Sequence, residues 1–459
     1  MDSFKAPRVV VSAPHRSSGK TILSIGLCAA LTKAGFTVAP FKKGPDYIDP
    51  MWLTDASKRD CCNLDLFMME EARIKAAFGS GSQGASLSLI EGNMGLYDGI
   101  DLEGKGSTSQ LARILKSPVI LIVDASRMTR GVAALLLGYL QFEPDILISG
   151  VVLNKVSNSR HERKLKEAIG HYCGVEVLGA LPNLKDVQIK QRHLGLIPTR
   201  EEERVFDLIT SICSRVTEYV NLERIIEIAR SASPLPFHQK ADRKNRGPSV
   251  RLGVARDAAF TFYYPQNLTA LRDAGAQLIP FDTLKDKQLP AVNGLYLGGG
   301  FPEVFMAELE KNKTLRQDIL TAINNGMPVY AECGGLIYLC RSISWGDQTR
   351  EMIGAIPADI RIQKKPKGHG YVILKSKGTS RWSCSDQLRG HEFHYSEVVN
   401  LGQVDFAYEV VRGQGVDGKR DGIICKNVLA MYTHLHSLGS PHWADDFVSF
   451  IEDVGFEIK

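Results

Sequence analysis

A chain of 459 residues is too long for one ordinary core, and a prior of roughly 100 to 200 residues per domain points to two or three. With 44% hydrophobic and 23% charged residues and a formal net charge of +5 spread along the chain, there is no case for disorder and no basic tract that implies nucleic acid. The nine cysteines show no CxxC spacing and signal neither a zinc site nor a disulfide framework; with no signal-peptide core and no apolar run of membrane-spanning length, a cytoplasmic protein is expected.

From Arg8 to about Arg230, β-rich runs at 9–11, 37–40, 87–90, 119–123, 150–153 and 175–179 alternate with helical stretches such as 20–34. That alternation predicts a parallel sheet wrapped by helices. Directly after the first strand stands Ser12-Ala13-Pro14-His15-Arg16-Ser17-Ser18-Gly19-Lys20-Thr21, which resembles a P-loop. Such a loop curls backbone N–H groups around phosphate, sends a lysine to the β- and γ-phosphates and offers a hydroxyl to magnesium. Ser18, Gly19, Lys20 and Thr21 supply its second half, so ATP and Mg2+ are expected here, with Thr21 a metal ligand. The first glycine of the standard spacing falls at Pro14, or at Ala13 with one more intervening residue.

Glu91 and Asp124 end two apolar runs and should emerge at the carboxyl edge of the sheet, where open α/β sheets bind ligands. Either carboxylate could hold magnesium or cap a helix. Asn154 after 150–153 could read adenine through its amide.

Residues 231–249 mix proline, serine and charge and read as a linker between a domain at 1–230 and another at 250–459. Strands are predicted at 250–255, 278–281, 294–297 and 328–331, with β-rich segments continuing through 422–432. After 328–331, Glu332-Cys333-Gly334-Gly335 turns into a helix start at 336–340, which outlines a nucleophile elbow with Cys333 at its apex. A free thiol is only roughly 3% ionised at pH 7, so a helix N-terminus and a histidine must assist it. His434, after the run 428–432, is the preferred partner, with His436 the alternative. Backbone N–H groups of Gly299 or Gly300, and of Gly334, are candidates for an oxyanion hole.

Two further runs lack a generic explanation: Phe41-Lys42-Lys43-Gly44-Pro45-Asp46-Tyr47-Ile48-Asp49-Pro50 and Glu91-Gly92-Asn93-Met94-Gly95-Leu96-Tyr97-Asp98-Gly99. With Asn154, Arg192-His193-Leu194-Gly195-Leu196, Gly298-Gly299-Gly300-Phe301-Pro302-Glu303, Glu332-Cys333-Gly334-Gly335, Gly390-His391-Glu392-Phe393-His394-Tyr395-Ser396 and Tyr432-Thr433-His434-Leu435-His436, they resemble the cobyrinic acid a,c-diamide synthase family over nearly the whole chain.

That resemblance implies an α/β P-loop domain, dethiobiotin synthetase-like, followed by a class I glutamine amidotransferase α/β domain. It implies phosphate contacts from Lys20, Thr21 and Lys42, magnesium or phosphate-transfer roles for Asp46 and Glu91, and Tyr47, Ile48 and Asp98 facing a tetrapyrrole carboxylate. Where the family usually has a glycine, this chain has Ala13. The implied partners are ATP, L-glutamine and a tetrapyrrole polycarboxylate, with no nucleic acid and no membrane, for a monomer or homodimer. Nickel sirohydrochlorin and hydrogenobyrinic acid stay open as substrates. A partitioning-type ATPase switch is the reading from another class, and it leaves the carboxyl half unexplained.

Overall fold

The computed structural model describes residues 3–4, 6–183, 189, 191–192, 195–236, 247–378 and 386–457. Most of the expected linker and His193 and Leu194 lie outside the described residues. The chain divides into two compact units, Met1–Lys240 and Ala241–Lys459.

The first unit is built on a seven-stranded sheet whose order is Cys62–Leu64, Val38–Lys43, Leu87–Glu91, Arg8–Ser12, Val119–Asp124, Ile148–Val156 and Val177–Pro182. Every pairing in it is parallel. Apolar runs such as Val9-Val10-Val11 are fully buried, as a sheet covered on both faces requires. The helix Lys20–Lys33 lies almost wholly inside, and at Gly26 an added Cβ would stand 2.3 Å from a methyl of Val216, so the missing side chain lets the helix Val205–Tyr219 approach closely. The edge strand Cys62–Leu64 was not predicted, because three residues are too few to show a period.

At the foot of this sheet Arg8 is fully buried, with no carboxylate ion pair among the described residues. Its guanidinium donates instead to the carbonyls of Ala6, Leu115, Lys116 and Ser233. Burial lowers its pKa to about 10. The bond to Ser233 fastens the segment after helix Leu222–Arg230 to the central strand.

The second unit carries a ten-stranded mixed sheet. Ala276–Phe281, Val250–Ala255, Gly294–Leu297, Val329–Glu332 and Val428–Met431 run parallel; Arg420–Cys425, Asp405–Arg412, Gly368–Ser376, Gln387–His394 and His434–Leu435 continue antiparallel. A separate four-stranded sheet holds Ser342–Trp345, Gln348–Glu351, Asp359–Ile362 and Ser396–Val399. The fifth and tenth strands of the large sheet are joined only by Tyr432 and Thr433. Three Cα steps span at most about 11 Å, so the antiparallel half must curl until its far edge returns to the middle. The buried Asp421 carboxylate holds that crossing, accepting from the N–H groups of Gly422, Tyr432 and Thr433 and from the Thr433 hydroxyl.

Arg8→Leu should lower stability by about 3 kcal/mol or more, because it leaves several buried carbonyls without donors. Chemical unfolding followed with both variants measures this; a loss below about 1 kcal/mol would mean that water replaces the guanidinium.

Candidate active site

In the first unit the chain leaves strand Arg8–Ser12, loops over residues 13–19 and enters the helix at Lys20. Two left-handed residues, Ser17 (φ 60°) and Gly19 (φ 105°), make the curl. The side chain of Asn154 lies beneath it: Nδ2 donates to the Ser18 carbonyl at 2.8 Å, and a Cβ on Gly19 would fall 2.3 Å from that nitrogen. Asn154 Oδ1 accepts from the Lys155 N–H, so the structure places this amide as a brace under the loop. Asp124 pairs with Lys155 at 2.6 Å and accepts from the Ser126 N–H. Ala13 accepts from the Leu96 N–H and Pro14 from the Tyr139 hydroxyl, which ties the 92–99 run to the loop.

Around the loop's exit the sheet edge gathers charge. Lys42 Nζ stands 2.6 Å from Asp49, 2.7 Å from Glu91 and 3.6 Å from Asp46, and the Thr21 hydroxyl reaches Glu91 at 2.8 Å and Asp49 at 3.2 Å. Glu91 is completely buried, and its Oε2 has no partner. Burial pushes the Glu91 carboxyl up, whereas Lys42 holds Asp49 low against the same effect. Lys20 Nζ donates to the His15 carbonyl, and burial with the neighbouring Lys42 lowers its pKa to about 8. An anion arriving beside it favours the charged form and raises that pKa again.

Asp46 has a second task. Its Oδ1 accepts from the N–H groups of Ile48 and Asp49, capping the helix Ile48–Ser57, while burial and the adjacent Asp49 raise its pKa to about 7. Tyr47 and Ile48 are largely buried, and Asp98 accepts from the Gly95 N–H. Asp49 was missed as a cluster member at the sequence level. The signal was its position three residues after Asp46, which places both acids around the N-terminus of one helix.

Among the described residues no three acidic, histidine or cysteine groups form a ready metal cage. Thr21 Oγ1 and the unpartnered Glu91 oxygen, with Asp49 alongside, do fit a hard cation that takes its remaining ligands from phosphate and water.

In the second unit, strand Val329–Glu332 stops at Cys333, and helix Gly334–Leu339 begins at the next residue. Cys333 sits at φ 46°, ψ −96°, a strained elbow of the kind that persists only where surroundings enforce it. Its N–H donates to the Met431 carbonyl at 2.7 Å, and the first turn of helix closes with Ile337 N–H to Cys333 O. Burial, then Glu303 and Glu332, push the thiol pKa up, while the Gly334 N–H acts the other way.

The glycine loop 298–300 packs against the elbow. A Cβ on Gly334 would lie 3.0 Å from Gly300 N, and one on Gly299 would lie 2.5 Å from His434 Cε1 and 3.3 Å from its Nε2. At Gly300, with φ 156°, a Cβ would meet the Ala259 carbonyl at 2.0 Å. Cys333, Gly334, Gly299, Gly300 and His434 are thus brought together by the ends of three neighbouring parallel strands.

His434 Nδ1 lies 3.3 Å from Glu332 Oε2, and its ring stacks on His391 at 5.0 Å. His436 is placed otherwise. It is fully buried, its Nδ1 accepts from the Leu438 N–H and its carbonyl closes the turn to Gly439 and Ser440, while burial lowers its pKa to about 3. The sequence shows Glu332 beside the nucleophile without indicating a role for it, since nothing there tells which side chain a strand's last residue meets.

Residues 9–197 match the CobQ/CobB/MinD/ParA nucleotide binding domain, and residues 251–442 match the CobB/CobQ-like glutamine amidotransferase domain. The chain is 44% identical to the cobyrinate a,c-diamide synthase of Magnetococcus marinus over 98% of both chains. It is 41% identical to that of Archaeoglobus fulgidus over 96% of this chain and 97% of the relative, and 40% identical to that of Methanosarcina acetivorans over 96% and 95%. No described helix is long and apolar enough to cross a membrane.

Gly19→Ala meets both a left-handed backbone and the Asn154 amide, so it should weaken ATP binding at least about tenfold by calorimetry. Gly131→Ala, where an added Cβ meets nothing within 4 Å, is the control and should bind as the parent does.

Proposed function

This chain belongs to the cobyrinate a,c-diamide synthase family, and we propose that it uses ATP and glutamine to amidate the a and c acetate side chains of cobyrinic acid in cobalamin biosynthesis. The observation that carries this reading is the coexistence on one chain of a nucleotide loop opening onto the Thr21–Lys42–Glu91 cluster and a cysteine elbow facing His434.

A carboxylate does not yield an amide directly, because oxide is a poor leaving group. The acetate oxygen attacks the γ-phosphorus of ATP in line, ADP departs, and an acyl phosphate forms. Lys20 and Lys42 face the phosphate charge, with Ser18 and Gly19 lending backbone N–H groups and Asn154 fixing the loop's curvature. Thr21, Glu91 and Asp49 would hold magnesium, which when bound spreads the β- and γ-phosphate charge. The family resemblance assigns Asp46, Asp98, Tyr47 and Ile48 to the substrate carboxylate, and Asp46 lies 3.6 Å from Lys42 Nζ.

At the second site, His434 Nε2 takes the proton from Cys333 as the sulfur attacks the glutamine carboxamide carbon. The buried thiol does not ionise on its own, so proton removal and attack must be coupled. The oxyanion of the tetrahedral intermediate meets N–H groups of Gly334 and of Gly299 or Gly300. Collapse expels ammonia, which carries off the proton from His434, and water hydrolyses the γ-glutamyl thioester. Ammonia displaces phosphate from the activated acetate to give the amide. Eight described cysteines are free thiols, which supports a reducing, cytoplasmic setting.

Cys333→Ala should abolish glutamine-driven amidation and leave amidation by added ammonium salts. Glu91→Gln should abolish both routes and spare glutamine hydrolysis. Product mass spectrometry with cobyrinic acid should show two successive exchanges of OH for NH2. Glutamine hydrolysis without a mass change would move the substrate to nickel sirohydrochlorin, hydrogenobyrinic acid or another polycarboxylate.

A further inference from the structure

The general base of a cysteine elbow must present an unprotonated ring nitrogen to the thiol, and something must hold the proton on the other nitrogen. In the second unit that partner comes from an unusual place, the residue immediately before the nucleophile. Glu332 is fully buried at the end of its strand. Its Oε1 accepts from the Tyr330 hydroxyl at 2.9 Å and the Leu435 N–H at 3.2 Å; its Oε2 faces His434 Nδ1 at 3.3 Å and the Tyr296 hydroxyl at 3.4 Å.

The other groups around His434 do not compete for this task. His391 stacks on the ring face and its Nε2 meets the Tyr264 hydroxyl at 2.8 Å. His436 directs Nδ1 to its own turn. The Glu392 carboxylate accepts from the N–H groups of Gln414 and Gly415.

We infer that Glu332 is the positioning residue of the glutaminase centre: it fixes His434 with the proton on Nδ1 and leaves the Nε2 lone pair for the Cys333 thiol. One side chain's backbone neighbour thus becomes the third member of a Cys333–His434–Glu332 relay. The strand ends on the orienting carboxylate, and the elbow at the next residue presents the nucleophile, so one short turn delivers both. As the proton moves from Sγ to Nε2, the imidazolium that forms finds Glu332 already in place, and no proton need pass to the carboxylate.

This inference rests on Cys333 acting as the nucleophile, and the test separates the two. Glu332→Gln keeps the shape but not the acceptors. Tyr330 and the Leu435 N–H will hold the amide oxygen at the Oε1 position, which turns NH2 toward His434 Nδ1 and drives the ring proton to Nε2. The kcat for glutamine hydrolysis should fall about 10²-fold or more with KM little changed, while ammonia-driven amidation persists. A kcat within about threefold of the parent overturns the positioning role and leaves the nucleophile intact. A parent enzyme that hydrolyses no glutamine overturns the underlying reading instead. Should the variant lose both activities through misfolding, imidazole nitrogen NMR of the parent protein decides. Protonated Nδ1 with unprotonated Nε2 at His434 is expected, and the reverse tautomer sinks the proposal.

Discussion

Both candidate centres depend on one geometric constraint: parallel strands all end at the same edge of their sheet. Residues far apart in sequence are delivered there by chain direction alone. In the first unit the ends of Arg8–Ser12, Val38–Lys43 and Leu87–Glu91 bring the phosphate loop, Lys42 and Glu91 within hydrogen-bond reach. In the second, Gly294–Leu297, Val329–Glu332 and Val428–Met431 deliver the glycine loop, the elbow and the approach to His434.

The two edges solve opposite electrostatic problems. The nucleotide site must receive several negative charges, yet it already buries Glu91 with Asp49 beside it; Lys42 offsets them, and the weakened Lys20 is held close by. Thr21 and the open Glu91 oxygen are the points at which a cation could enter this arrangement. The cysteine elbow instead holds its sulfur as a neutral thiol. Burial does that, aided by Glu303 and Glu332, while Gly334 supplies the opposing N–H. The elbow's strain is maintained by the Met431 hydrogen bond and by packing against glycines that admit no Cβ.

The crossing through Tyr432 and Thr433 is the feature that makes the second centre possible. Without it, His434 would continue along the central strand direction. With Asp421 gripping the crossing, the chain moves to the far edge of the curled sheet, and His434 pairs with His391 in register. A buried carboxylate satisfied by four donors is costly to disturb, so the position of His434 is set in part by a residue two strands away from the elbow sequence.

The sequence alone determined the fold class, both glycine-dependent turns and the main chemistry. The P-loop, the cysteine elbow and the buried β-runs are local patterns of fixed spacing, and physics reads them within a dozen residues. The candidates Cys333, His434, Lys20, Thr21, Lys42 and Glu91 come from those patterns or from family resemblance. Only the tertiary structure decided that Gly299 packs on the His434 ring, that Asn154 braces the loop, that Asp46 caps a helix while Asp49 joins Lys42, and that Glu332 meets His434. Those contacts span between 2 and 136 positions in the chain. They arise from strand order and sheet curl, which hydrogen bonding and burial fix across the whole unit and which no short stretch of residues encodes.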